Sequence, residues 1–517
     1  MQNSRTPYPP TGEPPRDRIA YLLPALAVAA FHVATAPGYG IFRDELYYLA
    51  CADHLAWGYV DQPPLSILVL AIVRAILGDS LHAIRLVPAL AAGGTAILAA
   101  STARRLGGSA FAQRLAAVAT AVTPIALALC GFYSMNALDL VVWTGAFRVL
   151  AAILAGGSPR LWLAFGAVAG IGLQNKISVL FLGFGVVVGL AAAGRWDGFR
   201  TRWLWLGGAL AAFLFLPNLL WQAAHGWPTL EFMENARRYK MEGADPLGFL
   251  GEMLLFGNPL ALPVWAGGIG WLLARPEARP FRPLGWASVA ILVVMIATGA
   301  KPYYFTPALP LACAAGGVAW ERWTDRRGRS WYRAAALAAV LIGAALVAPF
   351  AKPLLPVETF VRYARAVGIM PSAGERHELG RLPQHFADMH GWKELAEAVA
   401  RVRDGLPAAE RDRVCVAGQN YGQAGAIDSF GPALGLPKAI AGHNAYWHWG
   451  PGDSADKVWI VIGDDRETLE TLFSSVELGG TFDCDLCMPY EDDNPLWVCR
   501  GLKVPLEELW PRAKRFI

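Results

Sequence analysis

Charge is scarce in this chain: 17% of its 517 residues are Asp, Glu, Lys or Arg, while 55% are hydrophobic. A soluble globular protein carries about 25% charged residues, so the deficit points away from that class and toward a polytopic membrane protein. Also absent are a dinucleotide-binding fingerprint, a Walker loop and an HExxH motif. That argues against an ATP-driven pump. No internal repeat is found, whereas secondary transporters usually show one. The net charge of +4 is small, and what informs is where the positive residues lie.

Apolar length is abundant. A span needs about 20 apolar residues, and about eleven runs qualify between Ile19 and Phe350. They are 19–36, 84–103, 111–131, 137–155, 161–174, 177–194, 203–221, 250–274, 284–300, 303–320 and 334–350. The run 161–174 is short, and its separation from the next rests on Gln174-Asn175-Lys176. Leu65 to Leu77 is too short to cross and carries Arg74, so it reads as an amphipathic helix lying in the interface. The expected class is mostly α: a tail over 1–18, a helical membrane bundle over 19–350 with loop helices at 43–78, and a small soluble α/β domain over 351–517.

Lys and Arg set the orientation. Turns holding Arg104-Arg105, Arg160, Arg195/Arg200/Arg202, Arg275/Arg279/Arg282 and Arg322/Arg326/Arg327/Arg329/Arg333 alternate with turns poor in positive charge. By the positive-inside rule the basic turns are cytoplasmic, as is the tail with Arg5, Arg16 and Arg18. Asp44, Asp139, Lys176 and Lys301 then all fall on the outer side. Ala34-Thr35-Ala36 resembles a signal-peptidase site. The long, Pro-rich and weakly basic segment before it argues against cleavage there.

Beyond Phe350 the composition changes and acidic residues become common. Trp392 to Val402 has helical periodicity, while Arg413 to Gly418 and Lys457 to Gly463 read as short buried strands. This alternation suggests the α/β domain, and an odd number of spans puts it outside. Cys415, Cys484, Cys487 and Cys499 all lie there. An even number in an exported domain suggests disulfides of undetermined pairing, with a zinc site at Cys484-Asp485-Leu486-Cys487 as the alternative. Cys51, Cys130 and Cys313 read as packing residues.

Chemistry gathers on the outer face. Asp44 and Glu45 follow the first run, and paired carboxylates at a membrane boundary are costly to hold near hydrocarbon. Their bland alternative is a solvated loop. Asp61-Gln62-Pro63-Pro64 opens the interfacial helix, and Asp139 lies just inside a helix after Ser134. Lys176 stands between two spans, Lys301-Pro302-Tyr303-Tyr304 starts another, and Arg85 lies at the outer start of the second. Carboxylates can take a proton from an acceptor hydroxyl, and cations can neutralise a phosphate. Together they suit transfer of a group from a lipid phosphate to a hydroxyl. Snorkelling to lipid headgroups is the competing account of Arg74 and Arg85.

The motifs Phe42-Arg43-Asp44-Glu45-Leu46-Tyr47-Tyr48, Gly58-Tyr59-Val60-Asp61-Gln62-Pro63-Pro64-Leu65, Asn136-Ala137-Leu138-Asp139, Gln174-Asn175-Lys176 and Lys301-Pro302-Tyr303-Tyr304 carry a resemblance. In order and spacing they are similar to bacterial membrane glycosyltransferases of the GT-C fold. The family is the protein O-mannosyltransferase and aminoarabinose-transferase-like superfamily, glycosyltransferase family 39. The tail segments Asn420 to Ile427 and Gly442 to Trp447 also resemble uncharacterised members.

The resemblance implies a polyprenyl-phosphate sugar as donor, transfer with inversion to an envelope glycan, lipid or protein, and residence in the bacterial inner membrane. It makes Asp44 the base with Glu45 beside it, and Asp139 a second acid of the same pocket. Arg43, Tyr47, Asp61, Tyr303 and Tyr304 would line that pocket. Some relatives carry Glu-Lys-Pro where this chain has Asp61-Gln62-Pro63, and that Lys contacts the donor phosphate. Gln62 brings no charge, so Lys176, Lys301 and Arg85 become the candidates for neutralising it. The acids could also hold Mg²⁺ or Mn²⁺. The rival class is a transporter or flippase of lipid-linked sugars that uses the same acids for proton coupling. His225 and Trp227 read as boundary residues, His443, Trp447, His448 and Trp449 as a packed loop with sugar stacking as the alternative, and Glu231 to Glu242 as an acceptor-side loop or a solvated helix.

Overall fold

The computed structural model describes residues 15–239, 245–368 and 380–517, with side chains from Tyr21 onward. Most of the 1–18 tail, with Arg5, and the end of the Glu231 to Glu242 stretch, with Lys240, lie outside the described residues.

Among the described residues, five helices are long and apolar enough to cross a membrane: Leu81–Arg105, Met135–Leu154, Arg202–Ala224, Pro276–Ala297 and Trp331–Ala351. The pair Pro246–Phe256 and Pro259–Ala274 makes a sixth if counted as one bent span. Shorter apolar helices cover Tyr21–Ala34, Leu65–Leu77, Leu161–Leu173 and Val179–Ala192. On Arg202–Ala224, Phe213 is 70% and Leu220 62% exposed. Large side chains left outside along a whole helix need a hydrocarbon solvent. The protein is a multi-pass membrane protein.

Several expected runs are not single rods. The run 250–274 turns through 90° at Gly257-Asn258. There Asn258 adopts a positive φ of 68°, and its side-chain amide donates to the Val340 carbonyl at 2.9 Å. The run 111–131 breaks after helix Ala110–Ala121 and restarts as Pro124–Leu129, because Pro124 has no N–H to continue the ladder. The run 303–320 opens as a 3₁₀ turn, Pro302–Ala308, before helix Leu309–Arg327. Between Leu173 and Val179 the chain leaves the helix at Gln174-Asn175-Lys176, where the polar residues predicted a split. Small residues let the rods approach: a Cβ on Gly166 would stand 2.0 Å from the Gly207 carbonyl oxygen.

The bundle has two unlike ends. At one, the basic turns meet: Glu277 pairs with Arg326 at 2.9 Å and Arg322 at 3.7 Å, while Glu321 accepts from the Ser109 N–H at 2.8 Å. At the other, helices Leu86–Arg105 and Met135–Leu154 begin, and the C-terminal domain sits on the loop helix Arg43–Asp53.

That domain is built on a five-stranded sheet of β1 (Val414–Ala417), β2 (Ala439–Ile440), β3 (Val458–Ile462), β4 (Phe473–Phe482) and β5 (Asn494–Leu502), in the order β2-β1-β3-β5-β4. β1 runs parallel to β2 and β3, whereas β5 is antiparallel to β3 and β4. Helix Trp392–Asp404 and both expected strands are present. The β4–β5 pair was not foreseen, since Gly479-Gly480 and Pro495 obscure its alternation. Of the four tail cysteines, Cys484 and Cys487 are bonded to each other. Cys415 and Cys499 are free and buried, each opposite Trp459 from either side of β3, so a strand separates them. The domain and the first loop share one apolar core: Leu46, Tyr47 and Leu49 pack with Trp392, Leu395 and Ile427.

Candidate active site

Asp44 and Glu45 are neighbours on helix Arg43–Asp53 and point into different surroundings. Glu45 reaches back to cap the helix, accepting the Phe42 N–H at 2.9 Å. It is fully buried, and Arg85 meets it with two N–H groups, at 2.8 and 2.5 Å. The Tyr133 N–H adds a third contact at 2.7 Å. Two further Arg85 N–H groups go to the carbonyls of Ala36 and Gly40. Both side chains are thereby consumed. This counts against the expectation that Arg85 neutralises the donor phosphate and that Glu45 shares the chemistry: the guanidinium is only 3% exposed and already engaged by Glu45, Ala36 and Gly40. The pair clamps the first loop to the start of the second span.

Asp44 is half-buried and faces the C-terminal domain, where the Tyr421 hydroxyl donates to its Oδ1 at 2.8 Å. Asp61 stands nearby: the Tyr47 hydroxyl donates to its Oδ1 at 2.9 Å, and the Tyr47 and Tyr421 rings stack with centroids 4.7 Å apart. Burial and the charges of these carboxylates hold the hydroxyls of Tyr47, Tyr48 and Tyr421 protonated, well above the ordinary phenol range. They are donors at any working pH. Arg43, also buried, lies 4.7 Å over the Tyr421 ring and donates to the Tyr490 hydroxyl at 2.7 Å. It therefore belongs to the contact with the domain.

Gln62 is 1% exposed and turned inward. The chain turns there, with the Tyr59 N–H on the Gln62 carbonyl at 3.0 Å, and Pro63-Pro64 then deliver helix Leu65–Leu77. The Leu65 N–H donates to the Gln174 carbonyl at 2.7 Å, tying the first loop to the segment that carries Lys176.

Lys176 organises a second cluster at the same end. Its ammonium donates to Asn136 Oδ1 at 2.6 Å, lies 4.0 Å from Asp139 Oδ2, and sits over the rings of Tyr304 and Tyr303 at 4.9 and 5.8 Å. Asp139 is 1% exposed and accepts from the Ser178 hydroxyl at 2.8 Å. Lys301 caps the turn that presents Tyr303 and Tyr304, its side chain half-buried. The clusters meet at helix Met135–Leu154, whose first N–H, on Met135, donates to the Tyr48 hydroxyl at 3.1 Å. Asp139 thus belongs to Lys176, while the acid that shares tyrosine neighbours with Asp44 is Asp61.

Among the described residues, the three-carboxylate group close enough to share an ion is Asp483, Asp492 and Asp493, in the C-terminal domain rather than beside Asp44. His443 packs under Tyr421, accepting its N–H at Nδ1 (3.2 Å), and His448 packs against His225 at 5.5 Å. The residues that sequence reasoning left without a role are Tyr421 and Ser178. No local signal could have brought Tyr421 to Asp44, 377 residues away.

Residues 61–221 match the family described as dolichyl-phosphate-mannose-protein mannosyltransferase. Among solved structures, ArnT from Cupriavidus metallidurans in the apo state aligns with a TM-score of 0.60 at 15% identity, over 93% of this chain and 98% of that one. The fold is GT-C. The same enzyme bound to undecaprenyl phosphate aligns at 0.58 and 14% identity, over 92% and 97%. Comparison with curated proteins finds no match. The family match agrees with the motif resemblance and takes in Asp61, Asp139 and Lys176 of this GT-C protein. Asp44 and Lys301 lie outside the matched stretch.

Proposed function

We propose that this GT-C protein is a membrane glycosyltransferase that moves a sugar from a polyprenyl phosphate to an acceptor hydroxyl at the end of the bundle opposite its basic turns. The observation that carries this reading is the setting of Asp44. It is a half-buried carboxylate just past the first span, oriented by a phenol and next to Asp61, in the fold of an enzyme that has been crystallised with undecaprenyl phosphate.

The chemistry needs three things. Asp44 takes the acceptor proton as the hydroxyl oxygen attacks the anomeric carbon. The bond from that carbon to the phosphate oxygen breaks, with inversion, and the lipid phosphate leaves with the bonding pair. Lys176 and Lys301 meet the charge that develops on it, a task that neither Gln62 nor Arg85 can take. Lys176 is suited to it because aromatic rings and a buried carboxylate hold the ammonium in place. Basic turns at the far end set that end in the cytoplasm and the site with its C-terminal domain on the outer face. The acceptor would then be an envelope glycan, lipid or protein.

The test is to incubate purified protein with a panel of polyprenyl-phosphate sugars and measure release of the free lipid phosphate. Release from at least one donor, dependent on acceptor, supports the proposal. Movement of an intact lipid-linked sugar across vesicles without release would favour a flippase.

A further inference from the structure

We propose that the C-terminal domain supplies a working part of the site: Tyr421 is a positioning residue that sets the protonation and orientation of Asp44. The inference deepens the transfer reading and rests on it for the role of Asp44 as base, although the contact itself stands on geometry alone.

Tyr421 is held at its place more firmly than a surface contact requires. It is the first residue of helix Tyr421–Phe430, whose N-cap, Asn420, accepts the Gly422 N–H at 2.8 Å and donates to Glu491 at 2.7 Å. Gln423 donates to the other Glu491 oxygen, also at 2.7 Å. Glu491 is 3% exposed, so its two oxygens are devoted to this segment. The helix then lies on the first-loop helix at glycine distance. A Cβ on Gly425 would stand 2.9 Å from Leu46 Cβ and 3.0 Å from its carbonyl carbon. Any larger residue there would lift the phenol away from Asp44. On its far side the Tyr421 N–H fixes His443 in the tautomer whose Nε2–H donates to the Ile517 main-chain oxygen at 2.8 Å. The segment Asn420-Tyr421-Gly422-Gln423-Ala424-Gly425 is thus a mount for one hydroxyl.

A donor on a carboxylate favours its charged form, and the Tyr421 hydroxyl is such a donor on Asp44 Oδ1. The groups facing the Tyr421 hydroxyl and ring are Arg43, Asp44 and Tyr47 from the loop helix, Asp61 from the loop after it, and His443 from the domain. With Asp61 close by, a second negative charge would otherwise push Asp44 toward protonation. Tyr421 opposes that push.

The experiment follows Asp44 protonation directly, on the full-length protein in detergent. A water-soluble carbodiimide with an amine probe labels protonated carboxyls, and peptide mass spectrometry gives the labelling midpoint of Asp44 against pH, with exposed Asp453 as internal reference. Tyr421→Phe keeps the ring and removes the donor, and should raise the midpoint by about one to two pH units, the equivalent of one hydrogen bond to a charged acceptor. Replacing Tyr421 with 3-fluorotyrosine keeps ring and hydroxyl while strengthening the donor, and should lower the midpoint. In turnover, Tyr421→Phe should move the acid limb upward by the same amount and cut kcat more than it raises KM for the donor. An Asp44 midpoint unchanged in either variant overturns the inference. Failure of the wild type to release lipid phosphate from any donor would remove the transfer reading, while the labelling would still decide the Tyr421 contact.

Discussion

Two carboxylates on consecutive residues of one helix meet opposite fates. Glu45 is sealed with Arg85 against the second span, fully buried and bonded to Arg85, Phe42 and Tyr133. Asp44 faces the seam between the bundle and the C-terminal domain, half-buried, with one oxygen engaged by a phenol. The difference is 100° of helix rotation. On the proposed reading, charge at this membrane boundary divides into a clamp and a tool, and partners, rather than residue type, decide which is which.

The comparison breaks most sharply at Asp44. Asp44→Asn preserves size and should cost about 10²–10⁴-fold in donor turnover, with thermal unfolding in detergent little changed. Equal turnover would remove Asp44 from the mechanism. Glu45→Leu should do the reverse kind of damage. It leaves a buried Arg85 unpaired, which costs about 3–5 kcal/mol and should appear as low yield and an early unfolding transition. Adding Arg85→Met should recover much of that stability, because the desolvated charge goes as well. No recovery would mean that the carbonyl contacts of Arg85, rather than the ion pair, hold the loop.

Lys176→Met sharpens the account of the second cluster. Losing one charge-assisted contact should lower turnover by about ten- to a hundredfold, the equivalent of about 1.5–3 kcal/mol. Full activity in this variant would shift phosphate neutralisation to Lys301. The smallest effect is a pH dependence at the edge of the interface. Burial, then the charges of His225 and Lys514, lower the pKa of His448 to about 4. A histidine depressed in the fold stays neutral there while the unfolded chain protonates, so its contribution falls as pH drops from about 6.5 toward about 4. Docking of the domain, read by hydrogen exchange on helix Tyr421–Phe430, should weaken across that window. His448→Gln should flatten the response.

The features that could be foreseen were those that repeat or interrupt. Helix Leu65–Leu77 was legible because two prolines precede its short apolar run and Gly78 ends it. The break at Gln174-Asn175-Lys176 was legible because polar residues interrupt hydrocarbon length, and β3 because five apolar residues end in Gly463. The 90° bend at Asn258 was not, since it depends on a carbonyl 82 residues further on. Asp61 and Lys176 could be named as site residues from their motifs. Their partners could not: Asp139, expected as a second acid of the pocket, keeps company with Lys176 and Ser178.

Composition and periodicity alone determined that this chain must live in a bilayer, where its apolar runs lie, and which residues between them carry charge. Those properties are local, set by the cost of placing each group in hydrocarbon. Folding alone decided that Arg85 belongs to Glu45, that Asp61 stands with Asp44, and that a tyrosine from the far domain reaches the first loop. Each of these depends on low-dielectric contacts between distant segments, where a single partner changes what a charge can do.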